Sequence, residues 1–315
     1  MGVVGHRLTT AAGIAGLLLV AAPGCVDRAL YLGHEGSGAG GQDDGALDDG
    51  SSGDDGDEAE DVGGNPPTVP PCVPGADTDC DGDGVPDGED PFPDGDDPPP
   101  SSSSVIYANT PDALYTYDPS DYAIVEVGAF SFEDGIGEPI TDIAIDRNGY
   151  LYAVGTSTLY ACDPQTVVCT ALDAVPGANA AGFVPTDAGD VLLLAGFDGT
   201  VWRVDFEGTS ATAVEIGNLE IGGSSGDIAG SLAVTVASVD QHDGSERVRP
   251  VDPADGHVIG PAYPLPSFDN AWGLAFFDEV LYAFTPSGSI IFFDDANVDH
   301  HTGLEFWGAA SFPDW

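Results

Sequence analysis

An all-β, five-bladed β-propeller closed by pairing of its N- and C-terminal strands is the fold this sequence predicts for residues 104–315, on three observations. The first is a phrase of bulky or β-branched residue, spacer, bulky residue and aspartate. It recurs as Tyr115-Thr116-Tyr117-Asp118, Tyr160-Ala161-Cys162-Asp163, Trp202-Arg203-Val204-Asp205, Arg249-Pro250-Val251-Asp252 and Ile291-Phe292-Phe293-Asp294, with aspartates 45, 42, 47 and 42 residues apart. That period is the length of a four-stranded blade. The second is that short apolar runs alternate with Gly, Asp, Asn and Pro from Val105 onward, the pattern of short antiparallel strands. The third is that the two ends of the repeat region complement each other.

Within each repeat the strands follow one order. An inner strand (140–145, 182–185, 228–231, 272–276) leads through a turn into a second strand (150–154, 191–195, 232–238, 280–284). The repeated phrase is the third strand, and a fourth follows, as at 167–172 and 211–216. The N-terminal repeat starts at 105–108 with a second-type strand and lacks an inner one. The C-terminus offers a spare, Phe306-Trp307-Gly308-Ala309-Ala310-Ser311-Phe312, which reads like Trp272-Gly273-Leu274-Ala275. Pairing the two closes the ring and removes exposed edges. The repeated aspartates read as turn residues that bond local backbone N–H groups after a strand.

Charge narrows the partners. The net charge is −48, from 54 acidic side chains against six arginines and no lysine. No basic patch exists to neutralise phosphates, so nucleic acid is excluded as a partner, and cations are attracted. At the N-terminus, a short positive region (1–7) precedes an apolar run (8–22) that is too short to span a bilayer comfortably and suits a signal-peptide core within residues 1–24. The run ends Ala22-Pro23-Gly24-Cys25. These small residues before a cysteine resemble the lipobox of bacterial lipoproteins. The resemblance implies lipidation of Cys25, a lipid bilayer as partner and an outer-membrane site in the cell envelope. With Cys25 assigned to lipid, four of the five cysteines remain, in two close pairs, Cys72 with Cys80 and Cys162 with Cys169. Each pair is near enough to bridge locally, and neither has the C-x-x-C-like spacing of a Cys₄ zinc site.

Residues 25–71 hold the lipidated cysteine and a stretch rich in Gly, Asp, Ser, Glu and Ala. So little apolar surface cannot offset ordering entropy, so the sequence predicts a disordered acidic tether. Residues 72–100 form an Asp-rich module closed by Pro98-Pro99-Pro100. Counting Asp79 as position 1 of a calcium loop, carboxylates fall at positions 1, 3, 5, 9 and 12 as Asp79, Asp81, Asp83, Asp87 and Asp90, with Gly84 at the sharp turn and the Val85 carbonyl at position 7. This spacing turns alternate side chains onto one ion and leaves Cys80 pointing away, free to pair with Cys72. The stretch resembles the bacterial thrombospondin type-3 repeat, D-x-D-G-D-G-V-P-D-x-x-D, which implies calcium as the cofactor at the matching acids. Such repeats come in tandem, and here the next unit decays into Gly95-Asp96-Asp97.

Asp198-Gly199-Thr200-Val201-Trp202-Arg203-Val204-Asp205 and Val251-Asp252-Pro253-Ala254-Asp255-Gly256 resemble the blade phrases of quinoprotein-like propellers. Those include quinone-dependent dehydrogenases and non-catalytic propeller lipoproteins such as the outer-membrane barrel-assembly scaffold. The dehydrogenases carry eight blades and a vicinal disulfide, neither of which is present here. The match is a blade signature, not an active-site one.

Candidate site residues are few. Gly222-Gly223-Ser224-Ser225-Gly226 fits G-x-S-x-G but reads as a Gly/Ser loop leading into a strand, without the helix a nucleophile elbow needs. Asp142 and Asp227 fall near the start of inner strands, where the corresponding residues elsewhere are read as Gly182, Gly273 and Gly308. The glycines at those equivalent positions point to a close-turn role for the two aspartates; with Asn270 they are also candidates for a channel ligand site or a second calcium. Trp272 and Trp307 read first as inner-strand packing residues and are also candidates for an aromatic ligand platform. His242, His300 and His301 read as outer-loop residues. The expected function is a calcium-binding, membrane-anchored lipoprotein whose propeller binds a protein or carbohydrate ligand. The alternative is a propeller hydrolase or lyase acting on carbohydrate or lactone with an axial metal.

Overall fold

The structure, a computed structural model, describes Thr78, Cys80, Pro86 and residues 100–313 except 134, 187–188, 243–244, 264–269 and 294–298. The signal and tether segments, Cys25, Cys72, Asp79, Asp81, Asp83, Val85, Asp87, Asp90 and Asp294 therefore lie outside the described residues. Cys80 is disulfide-bonded.

Alternation along each strand sends successive side chains to opposite faces, and in a ring of blades both faces are buried against neighbours. The inner strands accordingly read as continuous apolar runs. Among the described residues, five sheets result. The first blade has β1 (Ile106–Asn109), β2 (Ala113–Asp118) and β3 (Ala123–Ala129). The second has β4 (Ser131–Phe132), β5 (Asp142–Ile145), β6 (Leu151–Val154), β7 (Thr158–Cys162) and β8 (Val168–Ala174). The third has β9 (Ala178–Thr186), β10 (Gly189–Gly196), β11 (Thr200–Glu207) and β12 (Ser210–Asn218). The fourth has β13 (Gly222–Gly230), β14 (Thr235–Gln241) and β15 (Glu246–Val251). The fifth has β16 (Gly273–Phe277), β17 (Val280–Phe284), β18 (Ser289–Phe292) and β19 (Asp299–His301). The last strand, β20 (Gly308–Ser311), returns to the first sheet, whose order is β20-β1-β2-β3. It pairs antiparallel with β1, setting Ile106 opposite Ser311 and Asn109 opposite Gly308. The ring thus closes through the chain ends, as the complementary termini predict.

No single core fills the domain. Five apolar clusters sit in the five gaps between blades. Strand β6 shows the logic. Leu151 and Ala153 enter the cluster shared with the first blade, and Tyr152 and Val154 enter the one shared with the third. Cys162 and Cys169 face each other across β7 and β8 and form a disulfide that ties the two outer strands of the second blade.

Several details depart from the sequence reading. Gly222 to Gly226 belong to β13 and not to a loop; the strand bulges between Ser224 and Ile228. Glycine suits the stretch because a Cβ on Gly223 would overlap the Phe197 carbonyl of the third blade. The second strand of that blade starts at Thr235, and Leu232, expected inside it, is 77% exposed in the preceding turn. The fourth-strand position of that blade is marked by isolated bridges, Val248 to Tyr263 and Val251 to Val258. A fifth strand, β4, lies parallel to β8 and covers the outer edge of the second blade. His300 and His301 lie in β19, where His300 stacks on Tyr122 with ring centroids 4.1 Å apart and His301 bonds the Ser289 hydroxyl at 3.0 Å.

Among the repeated aspartates, Asp118, Asp163 and Asp252 cap turns by accepting the N–H groups of Ser120, Gln165 and Ala254 at 2.7–2.9 Å. Asp205 instead pairs with Arg203, two residues back on the same strand face, at 2.6 Å. Both groups of that pair are exposed, so it contributes little to stability.

Candidate functional site at the propeller mouth

The inner strands bring one edge of unpaired backbone to the propeller axis, and those N–H groups need acceptors. Pairing registers align Asp142 (opposite Val154), Asp227, Gly273 (opposite Phe284) and Gly308 (opposite Asn109) as one ring around the axis. In the third blade the equivalent residue is Ala180 and not Gly182. Its neighbour Ala181 packs toward the second blade, as Ile143 packs toward the first, and Ala180 packs toward the fourth.

The amide one residue after each ring position points inward. The N–H groups of Ile143 and Ala181 donate to Asp142 at 2.8 and 2.7 Å. Those of Leu274 and Ala309 donate to Asp227, the latter at 3.3 Å. The fifth, Ile228, faces the Asp227 carboxyl without completing a bond to Oδ1. Two carboxyls from two blades thus take amide hydrogens from four of the five ring positions. Space forbids more. A Cβ on Gly308 would overlap Asp142 Oδ1, so glycine at that position is a packing requirement.

Asp142 and Asp227 are both 0% exposed. Burial is the main force raising both carboxyls well above the usual carboxylate range, and their mutual proximity adds to it for Asp142, while the amide donors pull the other way. The pair retains a proton where an exposed aspartate would be ionised. On one side of it the channel shrinks to about 30 Å³, lined by the far ends of the inner strands. That is room for a single water.

On the other side a pocket of about 130 Å³ opens. Its wall is the next ring outward, one residue from each blade: Thr141, Asn179, Gly226, Trp272 and Trp307, joined by Phe197 and Ser225. Trp272 and Trp307 meet edge to face, with centroids 6.2 Å apart and planes at 89°. Phe197 stands at the rim, 75% exposed. Asn179 is buried. Its Nδ2 donates to the Ser224 carbonyl at 3.1 Å, and its Oδ1 has no hydrogen-bond partner among the described residues. Thr141 spends its hydroxyl proton on the Val154 carbonyl at 2.9 Å. Behind the wall, buried Glu246 accepts from the Ala271 amide, and burial pushes its carboxyl up to about 7.

The structure therefore brings Asp142, Asp227, Trp272 and Trp307 together at the axis. Asn270 is half-buried and is not part of the pocket lining. Thr141, Asn179, Phe197 and Glu246 were not singled out from the sequence. The first two become visible once Ala180 is aligned with Asp142, because they are then the residues preceding it in the repeat. The G-x-S-x-G serine, Ser224, is 2% exposed and accepts the Gly226 amide at 3.2 Å, so it serves the local strand. Among the described residues, Asp252, Asp255 and His257 also lie close enough together for one ion, on the surface turn of the D-P-x-D-G phrase. Hydrogen bonds from the Ala254 and His257 amides and between His257 and Asp255 account for that arrangement.

No protein-family model matches the chain, and no curated protein matches it. Solved structures similar to it include a protein of unknown function from Bacteroides caccae, with 12% identity and a TM-score of 0.40 over 65% of this chain and 77% of that one. A chain from a nidogen/laminin complex shares 11% identity at a TM-score of 0.44, covering 67% and 81%. A symmetrical protein from a study of de novo evolutionary emergence shares 13% at 0.44, covering 67% and 99%. The five-bladed propeller rests on the strand pairing of the chain itself.

Proposed function

We propose that this propeller is a ligand-binding head and that the Trp272–Trp307 pocket is its site. The observation that carries the reading is the ring of residues at the mouth. Where five blades present one equivalent position, the chain places two half-buried tryptophans, a buried asparagine with an unused acceptor, a threonine and a glycine around a cavity. A concave, mostly apolar site with a few convergent polar groups is the usual form of a ligand pocket.

The enzyme reading, a hydrolase or lyase with an axial metal, finds less support. Among the described residues two carboxyls reach the axis. Both are fully buried, and both already accept amide hydrogens whose positive ends point where a cation would sit. The test is retention of ligand from a panel of immobilised glycans and peptides by the full chain. Trp272→Ala and Trp307→Ala are each expected to abolish retention without changing the far-ultraviolet spectrum or the melting temperature. Retention that survives both substitutions would place the site elsewhere.

The remainder of the chain fits this head into a surface lipoprotein. In this proposal Cys25 carries lipid, residues 26–71 are a tether, and Asp79, Asp81, Asp83, Asp87 and Asp90 with the Val85 carbonyl hold calcium. Titration of the full chain with millimolar Ca²⁺ is expected to give heat corresponding to a dissociation constant on the order of 10⁻⁴ to 10⁻³ M. Loss of that heat in Asp81→Ala is expected, and an unchanged isotherm rejects the site. Incorporation of labelled fatty acid is expected in the wild type and not in Cys25→Ala.

A further inference from the structure

We infer that the ligand of the mouth pocket is an organic cation, the ammonium or guanidinium end of a side chain or a quaternary ammonium group. The inference rests on the binding-head reading and specifies its chemistry.

Hydrogen-bonding capacity comes first. The polar lining keeps one buried acceptor open. Asn179 Oδ1 is buried without a donor among the described residues, and one of its Nδ2 hydrogens is used on the Ser224 carbonyl. Thr141 has given its proton to Val154, and Ser225 Oγ, which completes no hydrogen bond among the described residues, lies near Glu246. Trp307 Nε1 bonds Glu305 at 3.3 Å. A carboxylate or phosphate brings only acceptors and would leave Asn179 Oδ1 unsatisfied. A neutral sugar brings about as many acceptors as donors. An ammonium or guanidinium brings donors alone, and a quaternary ammonium brings positive charge without acceptors.

The walls and the field agree. Two indoles at a right angle make an aromatic corner, and the negative face of an indole is the strongest side-chain partner for a cation. Phe197 at the rim supplies a third ring. Buried Glu246 lies behind Ser225, and the chain carries 54 acids against six arginines and no lysine. Such a surface draws cations in and repels anions. A volume of about 130 Å³ admits one side-chain end or one trimethylammonium group but falls below the range of drug-sized ligands.

Calorimetry on the full chain at physiological ionic strength tests this. The probes are choline, Nα-acetyl-lysine methylamide and Nα-acetyl-arginine methylamide. Controls are 3,3-dimethyl-1-butanol, an uncharged counterpart of choline, and the neutral sugars glucose, galactose and N-acetylglucosamine. Binding of at least one cation is expected, with no binding of the alcohol, and with affinity about tenfold weaker in Trp307→Leu and in Trp272→Leu. Partial recovery in Trp307→Phe, which keeps a ring face, is expected as well. The side-chain analogues against choline separate a protein surface from a small-molecule source. Cation binding unchanged by both leucine variants is diffuse attraction to the acidic surface and overturns the inference, as does equal binding of the alcohol or no binding of any cation. A sugar that binds and is lost in Trp307→Leu overturns the cation but leaves the binding head standing. Ligand retention indifferent to both tryptophans sinks the head itself.

Discussion

Asp227→Ala is expected to lower the unfolding free energy by about 4 kcal/mol, whereas Asp227→Asn is expected to cost far less. The alanine variant leaves the Leu274 and Ala309 amides buried without an acceptor and opens a void at the axis. Asparagine keeps a carbonyl oxygen there and removes the repulsion of two adjacent buried carboxylates. Urea denaturation of the two variants against wild type measures the difference. Equal loss in both would show that charge matters more than the acceptor, and no loss in alanine would show that the axial bonds are dispensable.

The buried acids also set the sign of a pH dependence. Burial is the largest cause of the raised values of Asp142 and Asp227, of Asp146 at about 6 and of Glu246 at about 7. A native value above the unfolded one means the folded chain binds more protons in the window between them, so stability falls as pH rises. The stabilisation is fully present below the ordinary carboxylate range near pH 4. It is lost as pH climbs through about 6 for Asp146 and about 7 for Glu246. The unfolding midpoint is therefore expected to be higher at pH 5 than at pH 8. Relief of self-repulsion in a chain of net charge −48 acts in the same direction. Glu246→Gln separates the two, because it flattens the slope between pH 5 and 7 by up to one proton, about 1.4 kcal/mol per pH unit, while barely changing the net charge. An unaltered slope in that variant assigns the whole effect to the surface.

Removing residues 303–315 is expected to abolish the cooperative unfolding transition. Without β20 the first blade loses its inner strand, the axis loses the Ala309 amide, and the gap between the first and fifth blades loses Phe306 and Ala309. The informative companion is a permutant that places 303–315 between the tether and Val105. Ser311 lies opposite Ile106 in the native pairing, so a short hairpin turn joins them without altering any strand position. That chain is expected to recover a cooperative transition and a native-like circular dichroism spectrum, at reduced stability because the ring is no longer closed by distant chain ends. A permutant that fails to fold would show that the order of the strands, and not their pairing, is what the terminus supplies.

Blade count, strand order and closure were legible because they depend on local rules. A strand must alternate or run apolar, a turn must contain Gly, Asp, Asn or Pro, and a period repeats both. The Cys162–Cys169 bridge was legible for the same reason, since partners seven residues apart meet within one hairpin. The register of the third inner strand was not. Ala178-Asn179-Ala180-Ala181-Gly182 buries both faces, so no alternation marks which residue turns to which blade. Reading it from Gly182 moved the ring by two residues and hid Asn179. Glu246 was hidden differently, because the backbone amide that it accepts from, that of Ala271, lies 25 residues away in the chain.

By itself the sequence determined the architecture: five repeats, a ring sealed by its own ends, and the few positions where the repeat is broken by Asp142, Asp227, Trp272 and Trp307. The tertiary structure decided what those positions do. Asp142 takes an amide 39 residues away, and Asp227 takes amides 47 and 82 residues away, so the two aspartates proposed as ligand groups serve the backbone of the axis. The two tryptophans, 35 positions apart in the chain, share one corner of a pocket. The physical reason is that a blade is specified by near neighbours, whereas the axis is built where five strands distant in sequence meet. There each side chain's chemistry is set by groups that no local pattern names.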